Sequence, residues 1–148
     1  MKISTKGRYG LRAMVDLAVY SAEDHISLKS IAERQNISEG YLEQVFSTLR
    51  KSGLINSIKG AQGGYSLADR PENITVGAVL RALEGNLSVI DEKSMKEKTN
   101  DRIEDCIREK VWSTINAGID EVVDNITLED LTIEYKKMVG NGAFMYYI

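Results

Sequence analysis

The sequence predicts a mainly α fold: a winged helix-turn-helix with a two-stranded wing, followed by a long dimerisation helix. Three observations predict it. Two short, capped helical patterns meet at Asn36 and Ile37 with almost no connection between them. A glycine-rich turn at residues 60–64 separates two short strand patterns. Residues 101–124 carry apolar side chains along one helical face. These divide the chain into a winged helix-turn-helix unit at 1–85, a charged loop at 86–101, and a segment at 102–148 holding the dimerisation helix, a final helix and a tail.

The elements follow in order. Thr5 to Ser21 has helical spacing, with Tyr9, Met14, Leu17, Ala18 and Tyr20 marking a broad buried face. Ser27 is placed to cap a short amphipathic helix ending near Gln35, and Ser38 to cap a second from Glu39 to about Ser52. Leu42, Val45, Phe46 and Leu49 form the inward stripe of that second helix. Gly53 stands where a left-handed residue ends it. Residues 54–58 and 65–67 read as strands around the turn from Gly60 to Gly64. Thr75 caps a helix from Val76 to Glu84, ended by Gly85. Asn86 to Asn100 is polar and charge-rich and reads as a loop with partial disorder. Asp101 caps the long helix, whose stripe is Ile107, Val111, Ile115, Ile119 and Val122, preceded by Ile103. At about 36 Å it is too long and one-sided for a small winged helix to bury, so pairing with a second copy is expected. Packing back on its own domain is the alternative. Thr127 caps a last helix, Leu128 to Met138. Gly140 and Gly142 are expected to break it and leave an apolar tail, Phe144, Met145, Tyr146, Tyr147 and Ile148.

Composition narrows the function. The net charge is −3, yet residues 1–71 hold ten Lys and Arg against seven Asp and Glu, and residues 72–148 nine against fifteen. The basic half carries the helix-turn-helix, which suits DNA, and the acidic half is expected to face away. No apolar run is long enough for a membrane span, and no signal-peptide core follows the basic start. The one cysteine excludes an internal disulfide, and a cytoplasmic location is expected.

The second helix of the pair is the one that enters the major groove in this geometry. Its outward residues are Glu39, Gly40, Glu43, Gln44, Ser47 and Thr48, beginning at the cap Ser38. Gln suits adenine and Glu the cytosine amino group, so Glu43 beside Gln44 points to base readout; a solvated face is the bland alternative. Arg50, Lys51 and Lys59 flank this face, and Lys2, Lys6, Arg8 and Arg12 crowd the first helix, as phosphate contacts or as a solvated surface. Gly60, Gly63 and Gly64 belong to a wing turn, their freedom at φ and small size allowing close approach to DNA. A nucleotide-binding loop would need a helix after these glycines, and a strand pattern follows instead. His25 reads as a solvent residue. It has no partners for a metal site, so no metal, cofactor or catalytic residue is expected. Cys106 is either a small packed side chain at a subunit interface or a redox-sensitive thiol.

Taken together, the runs Ser4–Tyr9, Tyr41–Gln44, Leu49–Leu54, Gly60–Tyr65, Cys106 with Trp112, and Asn125–Leu128 resemble a family of bacterial winged-helix regulators that includes IscR, NsrR and CymR. The resemblance spans nearly the whole chain. It implies a homodimer joined by a long crossing helix and bound to a pseudo-palindromic operator. Cluster-binding members use three cysteines. Cys106 is similar to the third, but residues 86–105 contain none, so the iron–sulfur site is not carried over. The strongest resemblance is to the cysteine-metabolism repressors of the family. It implies repression of cysteine and sulfur genes, and a partner, O-acetylserine thiol-lyase (CysK), that captures the terminal Ile148. Tail packing on its own subunit remains the other reading. Thiol sensing through Cys106, and a role mainly on the thiol-lyase with DNA secondary, stand as alternatives.

Overall fold

The computed structural model describes the backbone of residues 1–146 and the side chains of residues 1–140. Helix α1 spans Thr5–Tyr20, α2 Leu28–Gln35 and α3 Glu39–Lys51. Strands β1 (Ile55–Ile58) and β2 (Gly64–Leu67) pair antiparallel, with Ile55 opposite Leu67 and Ile58 opposite Gly64. A 3₁₀ turn at Pro71–Asn73 leads into α4 (Val76–Glu84), the short α5 (Glu92–Lys96), α6 (Arg102–Ile107), α7 (Ser113–Asp124) and α8 (Leu128–Tyr146).

Every helix start expected from a capping residue is capped. Ser27, Ser38 and Thr75 accept from the backbone N–H three residues on, and Asp101 from both Ile103 and Glu104. Ser4, rather than Thr5, caps α1. At α8, Thr127 Oγ1 accepts from the Asp130 amide at 3.1 Å while Asp130 accepts from the Thr127 amide at 3.0 Å, a reciprocal box that fixes its entry. Asn36 turns α2 into α3 through a left-handed conformation, φ 53°.

The core lies between α1, α2, α3, β1 and α4. Met14, Leu17, Ile31, Leu42, Val45, Phe46, Leu49 and Ile55 are sealed from solvent, and so is Leu128 at the start of α8. The Leu128 amide bonds the Ile74 carbonyl at 2.9 Å and the Val76 amide bonds Ile126 at 2.8 Å, so the chain after the long helix is laced back onto the winged helix. A second cluster, Val76, Leu80 and Leu87, packs against Ile3, Ile119, Val123 and Leu131. Arg81 on α4 reaches α7 through Asp124 at 2.6 Å and Asp120 at 2.8 Å. Its hydrogen bonds hold the Asp124 carboxyl below the usual carboxylate range.

Three expectations about the second half are corrected. Residues 86–100 are not simply a loop: α5 forms behind an Asp91 cap, and the Asn116 side chain accepts from the Val89 amide and donates to Ser88 Oγ. Arg108 adds a bond to the Glu97 carbonyl at 2.9 Å. These anchors come from residues 11 to 28 positions away, which local polarity does not reveal. The long helix is not uniform: Arg108–Trp112 forms a π-helical turn between α6 and α7. The last helix does not stop at Met138 but continues through Gly140 and Gly142 to Tyr146. A glycine in a helix costs about 1 kcal/mol relative to alanine, which is why the two glycines read as a break. Tyr147 and Ile148 lie outside the described residues.

Candidate nucleic-acid interface

Helix α3 buries Leu42, Val45, Phe46 and Leu49, and this fixes what it shows to solvent. Glu39, Gly40, Glu43 and Gln44 are exposed, with Ser47 and Thr48 half-buried at the edge of the same face. Among the described residues, nothing beyond its own stretch of helix lies within 4 Å of where a Gly40 side chain would begin, so that surface is open to a large partner. Ser38 is exposed, but its hydroxyl is engaged in capping, accepting from the Tyr41 amide at 3.1 Å.

Between α3 and the wing lies a groove of about 600 Å³. Gly40, Glu43, Gln44, Ser47, Thr48, Arg50, Lys51 and Tyr65 line it. Its floor is rigid for a stated reason: the Phe46 and Tyr65 rings meet edge to face at 5.0 Å, joining α3 to β2. Arg50 and Lys51 close the last turn of α3, where cations suit the helix dipole, and Arg50 also reaches Ser57 Oγ on β1 at 3.5 Å. Lys59 is exposed on the wing.

The wing glycines do different work from one another. Gly60 alone has the left-handed backbone, φ 115°. At Gly63 a side chain would strike the Ile58 carbonyl, and at Gly64, which is buried, the Ile26 carbonyl. Gly63 and Gly64 are therefore required by the chain's own close approach; the expectation of close approach to DNA gives no account of Gly64. At Gly63 that approach is the turn itself, closed by its amide on the Gly60 carbonyl at 3.0 Å; at Gly64 it is the short ladder in which Ile26 and Tyr65 exchange backbone bonds at 3.0 and 2.7 Å. His25 is not a loose solvent residue either. Its ring is half-buried and bridges the Asp24 carboxylate and the Gln62 carbonyl, bracing the wing turn against the loop before α2.

Lys2, just before α1, and Arg8 on it are exposed, and Lys6 is half-buried. Arg12 is exposed, and its guanidinium also donates to the Gln35 carbonyl at 2.5 Å and lies 5.2 Å from the Tyr9 ring. Glu84 is a positioning residue that the sequence reading missed. Its carboxylate accepts from the Ser4 amide at 3.0 Å and from the Ser4 hydroxyl, holding the basic start of α1 in place. An acid in the last turn of α4 is wrong for that helix's own dipole, and that was the available signal.

The other expected site residues are placed as follows. Val111, Ile115 and Val122 are 40%, 41% and 60% exposed, whereas Ile107 is half-buried and Ile119 packs into the second cluster. Met1, Ile3, Leu80 and Leu87 complete an apolar groove with Ile115, Ile119 and Val122. Cys106 is exposed. Phe144, Met145 and Tyr146 fall on the last turns of α8. No helix among the described residues is long and apolar enough to cross a membrane.

Comparison with known proteins gives consistent results. A family profile, Rrf2, described as iron-dependent transcriptional regulator, matches residues 3–134. The HTH-type transcriptional regulator CymR of Bacillus subtilis is 47% identical over 148 residues, all of both chains. The solved structure of CymR, the global cysteine regulator of B. subtilis, superposes with TM-score 0.77 at 44% identity, covering 90% of this chain and 98% of that one. T. potens IscR superposes with TM-score 0.75 at 45% identity, covering 93% and 90%. An iron or iron–sulfur group needs several converging donors. Among the described residues no three His, Cys, Asp or Glu side chains converge, and the Asp105 carboxylate beside Cys106 is held by Arg108 at 2.7 Å. The residues present do not fit such a group.

Proposed function

From the premise that this chain belongs to the Rrf2 family of transcriptional regulators, we propose that it is a homodimeric, sequence-specific repressor of cysteine and sulfur metabolism genes. Helix α3 enters the major groove, the wing follows the flanking backbone, and two copies occupy a pseudo-palindromic operator. The observation that carries this is the α3–wing groove, where the exposed Glu43 and Gln44 share the lining with the cations Arg50 and Lys51, with Lys59 exposed on the wing. Apolar residues exposed on a helix that otherwise packs on its own domain support pairing of α6 and α7 with a second copy.

Identity with CymR along the whole chain supports the regulon and the second partner, the thiol-lyase CysK, captured through Phe144, Met145, Tyr146, Tyr147 and Ile148. Chromatin immunoprecipitation tests the regulon: bound sites should cluster upstream of genes for cysteine synthesis and sulfur uptake, and sites scattered elsewhere overturn it. Calorimetry of full-length protein and a variant lacking Ile148 against CysK tests the partner. Removing the side chain forfeits about 1.5–3 kcal/mol of burial and displaces the carboxylate, so affinity should fall at least about 100-fold. An unchanged affinity removes the partner.

The exposure of Cys106 favours a second reading, thiol sensing within the same regulator. Peroxide should then weaken operator binding of the native protein and leave Cys106→Ser unaffected; equal responses remove it.

A further inference from the structure

Asp16 is the one carboxylate in the core, its side chain fully covered between α1 and α2. Arg34 grips it with two bonds, Nε at 3.0 Å and Nη2 at 2.8 Å, and Gln35 Nε2 adds a third at 2.9 Å. The carbonyl of Gln35 is held in turn by Arg12. The C-terminal end of α2 is thus bolted to α1 on both sides. Asn36 and Ile37 alone separate it from Ser38, the cap of α3, and the Ile37 amide bonds back to the Ala32 carbonyl at 3.1 Å. A connection this short has no slack, so α3 follows wherever Arg34 holds the end of α2.

Arg34 has a second contact. Its guanidinium lies 4.0 Å from the centre of the Tyr20 ring, and the Tyr20 hydroxyl is hydrogen-bonded at 3.1 Å to that of Tyr135 on α8. Tyr135 lies two helical turns beyond Leu128, which is anchored in the core. A cleft of about 340 Å³, lined by Val15, Val19, Asp16, Tyr20, Arg34 and Tyr135, gives the two rings room to shift. Both tyrosines are partly exposed, so their hydroxyl pair contributes no more to stability than one ordinary hydrogen bond. What it joins is the C-terminal helix and the buried ion pair that sets the helix-turn-helix.

We propose that Tyr135, Tyr20, Arg34 and Asp16 form a positioning relay through which the seating of α8 sets the placement of α3 on DNA. This rests on the reading that α3 contacts bases, and it assigns a regulatory role to residues outside that surface. A partner bound to α8, or a ligand wedged between the tyrosines, would shift α3 by this route.

The test uses the full chain and three variants, Tyr20→Phe, Tyr135→Phe and the double substitution. The probes are a duplex selected from a randomised library by the native protein, and a random duplex of equal length. Anisotropy titrations at fixed salt give the ratio of the two affinities. Each single variant should lower that ratio by about two- to tenfold, the range expected of one hydrogen bond, with the melting temperature lowered by no more than about a few degrees. The double variant should lose no more than either single one, because both remove the same link. Amide exchange of residues 36–41 in the DNA-free variants should quicken. Equal losses on both duplexes, additive losses, or an unaltered ratio with unaltered exchange overturns the relay. A native protein with no preference for any duplex overturns the base-reading premise instead, and the exchange measurement then still decides whether α8 restrains α3.

Discussion

Gln44 lines the groove beside α3, Lys59 is exposed on the wing, and the two should fail differently. Gln44 is exposed on α3, where an amide can bond an adenine edge in two places. Gln44→Ala should cost about 1–3 kcal/mol on the selected duplex and far less on random DNA. Lys59 stands on the wing, where the proposed contact is to the DNA backbone, which has no sequence, so Lys59→Ala should weaken both duplexes alike. Competition titrations with single-base variants check both; equal losses for Gln44→Ala strike it from the base contacts. The outward face of α3 was legible from spacing alone, because burying Leu42, Val45, Phe46 and Leu49 leaves one face to solvent. The braces of that face were not. His25 against Gln62, and Glu84 against Ser4, join residues 37 and 80 positions apart, and no periodicity encodes such pairs.

At the scale of elements, the first half of the chain folds as its caps and turns dictate, and the second half tests how it is attached. Leu128 is fully buried in the winged-helix core. Leu128→Ala should therefore destabilise the whole protein by about 2–5 kcal/mol, seen as one lowered thermal transition. A separate transition for residues 102–146, with the winged helix unmoved, would show an independent arm. The link between α4 and α7 has its own signature. Arg81 holds the folded Asp124 carboxyl below its usual value, so this pair adds stability above about pH 3.9, the ordinary Asp value, and loses it as pH falls through the lower folded one. Asp124→Asn should flatten the acid limb of a stability–pH curve and leave it nearly parallel to native above pH 5. A native acid limb kept intact would place the acid-sensitive contacts elsewhere. On the exposed face of α7, Ile115→Glu sets a charge into the proposed seam, a cost of several kcal/mol if the seam is dry. Sedimentation should then show monomer; a persisting dimer moves the interface.

For the whole molecule, charge separation is the controlling feature. The basic cluster belongs to α1, the end of α3 and the wing, while the acidic excess lies in residues 72–148. If a dimer neutralises roughly 6–10 phosphates, affinity should fall about 10³–10⁵-fold between 50 and 200 mM salt. A log–log slope near zero refutes phosphate-dominated binding.

By itself the sequence determined helices α1 to α4, the caps Ser27, Ser38, Thr75, Asp101 and Thr127, the wing and the face of α3, because each depends on neighbours within a turn or two of helix or across one hairpin. Side-chain period and capping chemistry act over that range. Only the tertiary structure decided that α5 forms and is pinned by Asn116 and Arg108, that α8 runs through two glycines, that the long helix carries a π turn, and that Asp16, Arg34, Tyr20 and Tyr135 form one chain of contacts. Each of these depends on a partner brought near by packing, or on a local backbone cost offset by the surrounding helix. Such terms arise once the core around Phe46 and Leu128 has set which surfaces meet.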